Sequence, residues 1–140
     1  PALLPAGTRD PVLDVAARAL VPLMLLAAVY LLWAGATRPG GAFQGAAVAA
    51  AGGVLLVLCG LGPRDLAPRG AIRAVLAAGP IVFLLVAVHA GGALLELPPE
   101  QAGALILLIE SALTVSLALV LWALFLCIAA AGDPDDGAGP

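Results

Sequence analysis

Four long stretches without a charged side chain constrain this chain more than any other feature of its sequence. Uncharged runs of 19, 25, 22 and 22 residues follow Arg18, Arg38, Arg73 and Glu110 respectively. A helix needs about 20 apolar residues to cross about 30 Å of hydrocarbon, and each run comes close to or exceeds that length. Only 11% of the 140 residues are charged and 63% are hydrophobic, which is far from the composition of a soluble domain. The sequence therefore predicts an all-α integral membrane protein with four transmembrane helices.

The predicted helices lie near residues 11–34, 43–60, 72–95 and 99–131. Together they form one four-helix transmembrane domain over residues 1–132, and the acidic segment 133–140 is predicted to be a disordered tail. On the first helix, Asp14 and Arg18 are four residues apart and are expected to pair. Pro80 is expected to kink the third helix.

The arginines predict the orientation of these helices. Five of the six arginines (Arg9, Arg18, Arg64, Arg69 and Arg73) fall on the side that holds both termini, and Arg38 alone falls on the other. Basic residues are enriched on the cytoplasmic side of membrane proteins. Both termini are therefore predicted to be cytoplasmic, and the connection between the first two helices is predicted to lie outside.

That connection is a glycine-rich break at residues 35–46, with the sequence Gly-Ala-Thr-Arg-Pro-Gly-Gly-Ala-Phe-Gln-Gly-Ala. Irregular backbone cannot face hydrocarbon, so the break must lie in the interface, against protein or beside water. Pro39 fixes the start of a turn, Gly40 and Gly41 permit backbone angles closed to other residues, and Phe43 is expected to pack back against an apolar surface. The alternative is a plain hairpin connector. The candidate residues of this motif are Arg38, Pro39, Gly40, Gly41, Phe43, Gln44 and Gly45.

A second pattern of small residues follows the break. Gly45, Ala49 and Gly53 are spaced by four along the second helix, which would let another helix approach closely. Chance spacing is the alternative, because Gly alone accounts for 17 of the 140 residues. Between residues 45 and 53, Val48 is the only bulky side chain. The second helix is therefore expected to be buried against protein rather than lipid.

Two ionisable residues, Glu110 and His89, lie within the predicted spans. Counted from Gln101, Glu110 would sit about 13 Å deep, near the midplane, and His89 about 10 Å from the same side. In an antiparallel hairpin about Pro98, the two would differ in height by roughly 4–5 Å. Intramembrane carboxylates and imidazoles often mark proton or ion routes, so both residues are candidates for such a route. The alternatives are a protonated acid that hydrogen-bonds a neighbouring helix and a neutral interfacial imidazole.

Other kinds of site find no support in the sequence. Cys59 and Cys127 lack metal-ligand spacing, and no nucleophile elbow, phosphate loop or histidine cluster is present. No basic patch exists that could bind nucleic acid. The sequence therefore indicates no enzyme active site, no metal site and no cofactor.

The first two helices and the break carry a family pattern. Residues 10–60 resemble the B-subunit family of multisubunit sodium/proton antiporters of the Mrp or Mnh type. Members show Tyr-Leu-Leu-x-x-Gly at the end of the first helix, followed by Gly-His-x-x-Pro-Gly-Gly-Gly-Phe-x-Gly-Gly. The matching residues here are Tyr30, Leu31, Leu32, Gly35, Pro39, Gly40, Gly41, Phe43 and Gly45. Ala36, Ala42 and Ala46 replace the His and two of the glycines, and Glu110 falls about where the family has an acidic residue in its last helix.

The resemblance implies a non-catalytic membrane subunit of a cation/proton antiporter complex in a bacterial or archaeal plasma membrane. Its partners would be other membrane subunits of the complex and the lipid bilayer. One alternative is the equivalent subunit in the ion-pumping module of a membrane-bound hydrogenase or similar respiratory assembly. A third possibility is a small dimeric four-helix exporter, but such exporters centre on a carboxylate in the first helix, which is uncharged after Arg18 here.

Overall fold

A computed structural model of the chain describes residues 11–35, 38–61, 69–89 and 99–131. Within these ranges the backbone forms four α-helices and no strand, so the all-α prediction is confirmed. The helices are α1 (Pro11–Ala34), α2 (Ala42–Leu58), α3 (Arg69–His89) and α4 (Pro99–Ala131). The predicted bounds of α1 and α4 agree with the structure, whereas α2 begins one residue earlier and ends two residues earlier than predicted, and α3 begins three residues earlier, at Arg69. The predicted end of the third helix at 90–95 and the tail at 133–140 lie outside the described residues.

Three of these helices are long and apolar enough to cross a membrane, over Pro11–Ala34, Gly70–His89 and Pro99–Ala129. The apolar helix α2 has 17 residues and falls below that length class. At 1.5 Å per residue it is about 25 Å long, which is the lower limit for a span. α2 can therefore cross the hydrocarbon only where its ends meet polar surroundings or protein.

Glycine sets both ends of α2. Gly41 is the N-cap residue with φ 119°, and Gly60 follows the last turn with φ 66°. The Gly60 N–H donates to the Val57 carbonyl and the Leu61 N–H to the Leu56 carbonyl, both at 2.9 Å. This pair of bonds is a Schellman motif, which satisfies the last carbonyls of a helix and needs a residue with positive φ. The length of α2 is thus fixed by backbone geometry at both ends.

The helices pack with α2 and α4 in the middle. α2 contacts α1 on one side and α4 on the other, and α3 packs mainly against α4. The buried residues of α2 are small: Gly45, Ala46, Ala50 and Gly52. The expectation that the second helix is buried against protein is therefore confirmed.

The outer surface of the bundle is apolar, and its core is built from small side chains. Leu26, Val29 and Trp33 of α1 are 68%, 64% and 70% exposed, and Val88 of α3 is 79% exposed. In the described residues no large side chain is fully buried. Such a surface suits lipid or neighbouring membrane subunits, because hydrocarbon offers these side chains the same environment as a protein core.

The predicted ion pair is present near the start of α1. Arg18 Nε lies 3.1 Å from Asp14 Oδ2, with the Arg18 side chain largely exposed. An exposed pair of this kind adds little to stability. It places the charged end of α1 on the side of the bundle opposite the break.

Candidate functional site

The glycine-rich break closes α1 tightly onto α2. The Gly41 N–H donates to the Leu31 carbonyl at 2.9 Å, and the Gly35 N–H donates to the same oxygen at 3.1 Å. The Arg38 N–H donates to the Ala34 carbonyl at 2.8 Å. The last carbonyls of a helix have no intrahelical partner, and here the break supplies donors for them. The backbone of the break therefore completes the hydrogen bonding at the end of α1.

Two glycines of the break leave no room for a side chain. A Cβ atom on Gly40 would lie 2.6 Å from the Leu31 carbonyl oxygen, and one on Gly35 would lie 2.5 Å from Gly41 Cα. Both obstacles are backbone atoms, which cannot rotate away as a side chain can. The turn therefore depends on Gly35 as much as on Gly40 and Gly41. Reasoning from turn chemistry pointed only to the latter two, whereas the family pattern also includes Gly35.

Four of the larger side chains of the break are exposed. Phe43 is 61% exposed, and Arg38, Pro39 and Gln44 are also exposed. The expectation that Phe43 packs into an apolar surface is therefore wrong for the chain by itself. Gly45 and Ala46 hold the buried positions of this turn of α2, which leaves Phe43 for the outer face.

The residues Gly45, Ala49 and Gly53 share the face of α2 that meets α4. A Cβ atom on Gly45 would lie 3.5 Å from Thr114 Cγ2 of α4 and only 2.9 Å from the Ala28 carbonyl oxygen of α1. A Cβ atom on Gly53 would lie 3.1 Å from Trp122 Cδ1. Ala49 and Gly53 line a groove of about 240 Å³ beside Trp122. Gly45 is thus where three helices come together.

Glu110 lies at the same height in the bundle as the start of α2. The Thr114 hydroxyl donates to the Glu110 carbonyl at 2.7 Å, one turn back along α4, while the Thr114 methyl group meets Gly45. Glu110 is therefore one turn farther out than Gly45, level with Gly41. No side chain caps the first N–H groups of α2, so the positive end of its dipole is at this height.

The contacts of α4 give the level of Glu110 relative to α2, whereas the sequence predicted only a depth counted along α4. α4 has 33 residues, which correspond to about 50 Å and exceed the hydrocarbon thickness. A count from the first residue of so long a helix therefore does not fix the depth of Glu110 in the bilayer. The break and Glu110, which the sequence assigned to the outer surface and the midplane, occupy one level instead.

His89 and Glu110 are not joined in the described part of the chain. Gly79 of α3 lies opposite Leu113 and Ser116 of α4, with a hypothetical Gly79 Cβ 3.0 to 3.2 Å from their atoms. In this antiparallel register His89, the last residue of α3, lies roughly 6–10 Å farther out than Glu110. Its side chain is exposed, and no hydrogen bond or ion pair between it and Glu110 occurs among these residues.

A comparison with protein families assigns the chain. The description "Domain related to MnhB subunit of Na+/H+ antiporter" matches residues 12–131. The chain belongs to this family. The match runs from α1 to α4, well beyond the motif in residues 10–60 that carried the resemblance. No curated protein and no solved structure gave a match.

Membership in the MnhB-related family makes this chain a multi-pass membrane protein related to a subunit of multisubunit Na+/H+ antiporters. Two of its departures from the family pattern are easily accommodated. Ala42 is the first residue of α2, where a helix needs no glycine, and Ala46 is fully buried at a contact that admits a methyl group. The third departure, Ala36, lies outside the described residues.

The described residues bring few ionisable groups together. Among them no three His, Cys, Asp or Glu side chains form a group that could hold a metal ion. Cys59 and Cys127 are free thiols, one buried and the other exposed. Arg38 and Gln44 of the break and Glu110 of α4 form one polar level of the bundle, far from the pair of Asp14 and Arg18 at the other end of α1.

Proposed function

We propose that this chain is a non-catalytic membrane subunit of a multisubunit Na+/H+ antiporter complex, in which it supports assembly and lines part of an ion or proton route at Glu110. The family match supports the class of complex. The observation that carries the route is the shared level of Glu110, the break and the uncapped start of α2.

Glu110 has the properties that a relay group requires. Its side chain is half-buried, and no hydrogen bond from its carboxyl group occurs among the described residues. An isolated carboxylate in a bilayer is costly, but the positive end of a helix dipole at the same height offsets part of that cost. A carboxyl group in such a place can bind and release a proton without the loss of a structural partner.

The proposed role in assembly rests on the apolar surface near the break. Trp33 and Phe43 are 70% and 61% exposed, on the two helices that the break joins. Large aromatic side chains are common anchors where membrane proteins meet one another. A neighbouring subunit that covers Phe43 would supply the apolar surface that the chain itself does not.

Purification of the chain in mild detergent tests the class of complex. Co-purification of large antiporter-type subunits is the expected result. Redox subunits in their place would assign the chain to a hydrogenase-type or respiratory ion pump, and a lone dimer would indicate a small exporter. Either of the latter results would overturn the antiporter proposal.

Glu110→Gln tests the ion route. Glutamine keeps the size and hydrogen-bonding capacity of the side chain, so the complex should assemble, whereas Na+-dependent proton exchange in membrane vesicles should fall at least ~10-fold, as expected for loss of a positioned proton carrier. Glu100→Gln, the same substitution in the first turn of the same helix, is the matched control and should leave exchange unchanged. Normal exchange in an assembled Glu110→Gln complex would reduce Glu110 to a structural residue.

A further inference from the structure

α3 contains a proline that leaves one of its own carbonyl groups without a donor. Pro80 lies within the helix Arg69–His89, and proline has no backbone N–H. The carbonyl four residues earlier, on Leu76, therefore lacks its intrahelical hydrogen bond. Within a bilayer an unpaired backbone group costs several kcal/mol, so this carbonyl needs another donor.

Ser116 of α4 supplies that donor. Its hydroxyl group donates to the Leu76 carbonyl with an Oγ–O distance of 2.6 Å, and the residue is only 5% exposed. α4 has two other hydroxyl residues, Ser111 and Thr114. Each donates to the carbonyl four residues back on its own helix. Ser116 is thus the hydroxyl residue of α4 that bonds across to a neighbouring helix.

The backbones come close enough for this bond because Gly79 lies beside it. A Cβ atom on Gly79 would lie 3.0 Å from Ser116 Cβ and 3.2 Å from Leu113 Cα. Gly79, Pro80 and Ser116 therefore meet at one point of contact between α3 and α4. The main contacts of α3 are with α4, so this point lies on its principal packing surface.

We propose that Ser116 is a latch on a hinge in α3 at Pro80. In the closed state its hydroxyl bonds the Leu76 carbonyl and holds the two halves of α3 in line against α4. In the open state the same hydroxyl bonds the Ala112 carbonyl on its own helix, as serine in a helix commonly does, and α3 bends at the missing hydrogen bond. The outer half of α3, which ends at His89, moves between these states.

The device has two states because the Ser116 hydroxyl has one proton to donate and two alternative acceptors, the Leu76 carbonyl across the contact and the Ala112 carbonyl on its own helix. Closing the latch satisfies Leu76, whereas opening it leaves Leu76 for water or another donor. Restoring the backbone donor removes the need for the latch. Pro80→Ala gives α3 an N–H group that can bond Leu76 directly, so Ser116 becomes dispensable in that background.

A double-mutant experiment on the full chain in lipid bilayers tests this coupling. Spin labels are attached to cysteines at Val88 and Gly103, which are exposed near the outer ends of α3 and α4, after Cys59 and Cys127 are replaced by alanine. Pulsed electron paramagnetic resonance then gives the distribution of label distances. Ser116→Ala should broaden this distribution or add a second, longer distance. In the Pro80→Ala background, the same substitution should leave a single narrow peak.

Two controls keep the result decisive. Ser111→Ala removes a hydroxyl group that bonds its own helix and should leave the distances unchanged in both backgrounds. Pro80→Ala alone should give a peak at least as narrow as that of the wild type. The latch is refuted if Ser116→Ala leaves the distribution unchanged, or if its effect persists in the Pro80→Ala background. A Ser116→Ala chain that folds only together with Pro80→Ala would also refute it, because the open state would then not be a folded state and Ser116 would be a fixed partner of Leu76.

Discussion

At the scale of single residues, glycine determines how closely the helices of this molecule approach. Gly45 lies against the α1 backbone, Gly53 against the Trp122 ring of α4, and Gly79 against Leu113 and Ser116. Each principal pair of packed helices thus has a glycine at a close contact. Without a hydrophobic force between helices in lipid, close backbone approach and the dispersion contacts it brings are the main source of packing energy.

We expect Gly45→Val to separate α1 from α2. The Cβ position is 2.9 Å from the Ala28 carbonyl oxygen, a backbone atom, so the substitution should destabilise the chain by about 1–3 kcal/mol, as overpacking typically does. In a chain whose exposed Cys127 is replaced by alanine, the melting temperature in detergent can be followed with a thiol-reactive dye, because Cys59 is buried until the chain unfolds. Gly103→Val is the control, since nothing lies within 4 Å of that position. Equal melting temperatures for the two variants would contradict the close contact.

His89 and Glu110 should act independently of each other. The register of α3 against α4 places them roughly 6–10 Å apart in height, and no bond joins them among the described residues. Combining His89→Leu with Glu110→Gln should therefore give the sum of the single effects on exchange, within about 0.5 kcal/mol after conversion of the rates. A larger coupling would restore the paired route that the spacing of the sequence first indicated.

At the scale of elements, the break joins α1 to α2 by backbone hydrogen bonds. Its N–H groups donate to carbonyls at the end of α1 that would otherwise lack a partner. Gly40→Val should open this turn, because its Cβ would lie 2.6 Å from the Leu31 carbonyl oxygen. The isolated chain should then melt at a lower temperature, and native gels should show less assembled complex. An unchanged melting temperature would mean that the turn tolerates a side chain at this position.

Phe43→Ala should behave differently from Gly40→Val. Because Phe43 is 61% exposed, its truncation should leave the melting temperature of the isolated chain nearly unchanged. If a neighbouring subunit covers the ring, the same variant should reduce the amount of complex on native gels, by up to about 3–5 kcal/mol of interface energy for a fully buried ring. Full assembly of the Phe43→Ala complex would show that lipid, not a partner, covers this side chain.

The sequence predicted the helices well because charge and glycine act locally. Gly41 fixes the beginning of α2 and Gly60 its end, each through its own backbone angles. The bounds of α2 could therefore be placed to within two residues. α3 was placed too late because Arg73 was used as a boundary, whereas hydrogen bonding continues the helix back to Arg69. Hydropathy marks where hydrocarbon ends, and a helix is free to continue past that point.

The relations between helices could not be predicted in the same way. The level of Glu110 depends on the register of α4 against α2, which follows from the contact of Gly45 with Thr114. The bond from Ser116 to Leu76 joins residues 40 positions apart. Neither relation leaves a local signal, and Pro80 predicted only a kink in the third helix.

At the scale of the whole molecule, the two helical hairpins differ in height. The α1–α2 pair ends at the break, level with Glu110, whereas α4 continues outward from Glu110 to Pro99 over about 16 Å. The exposed leucines Leu107 and Leu108 lie on this outer part of α4. The polar level of the chain therefore lies at a step between a short hairpin and a long one, where a neighbouring subunit or lipid must complete the surface.

The side of the membrane on which this step lies determines which aqueous phase Glu110 is nearer to. Five of the six arginines lie on the side of the chain that holds the start of α1 and the connection from α2 to α3. Because basic residues favour the cytoplasmic side, the break on the opposite side should face outward. In a chain with Cys59 and Cys127 replaced, a cysteine at Thr37 should react with an impermeant maleimide added to intact cells, and one at Ala67 should react only after lysis. The cysteine-free chain is the control for background labelling. The reverse labelling pattern would show that the chain has the opposite orientation in the membrane, with both the break and Glu110 toward the cytoplasm. The bonds that hold the break against α1 would be unchanged, but any proton that Glu110 exchanges would then come from the opposite side.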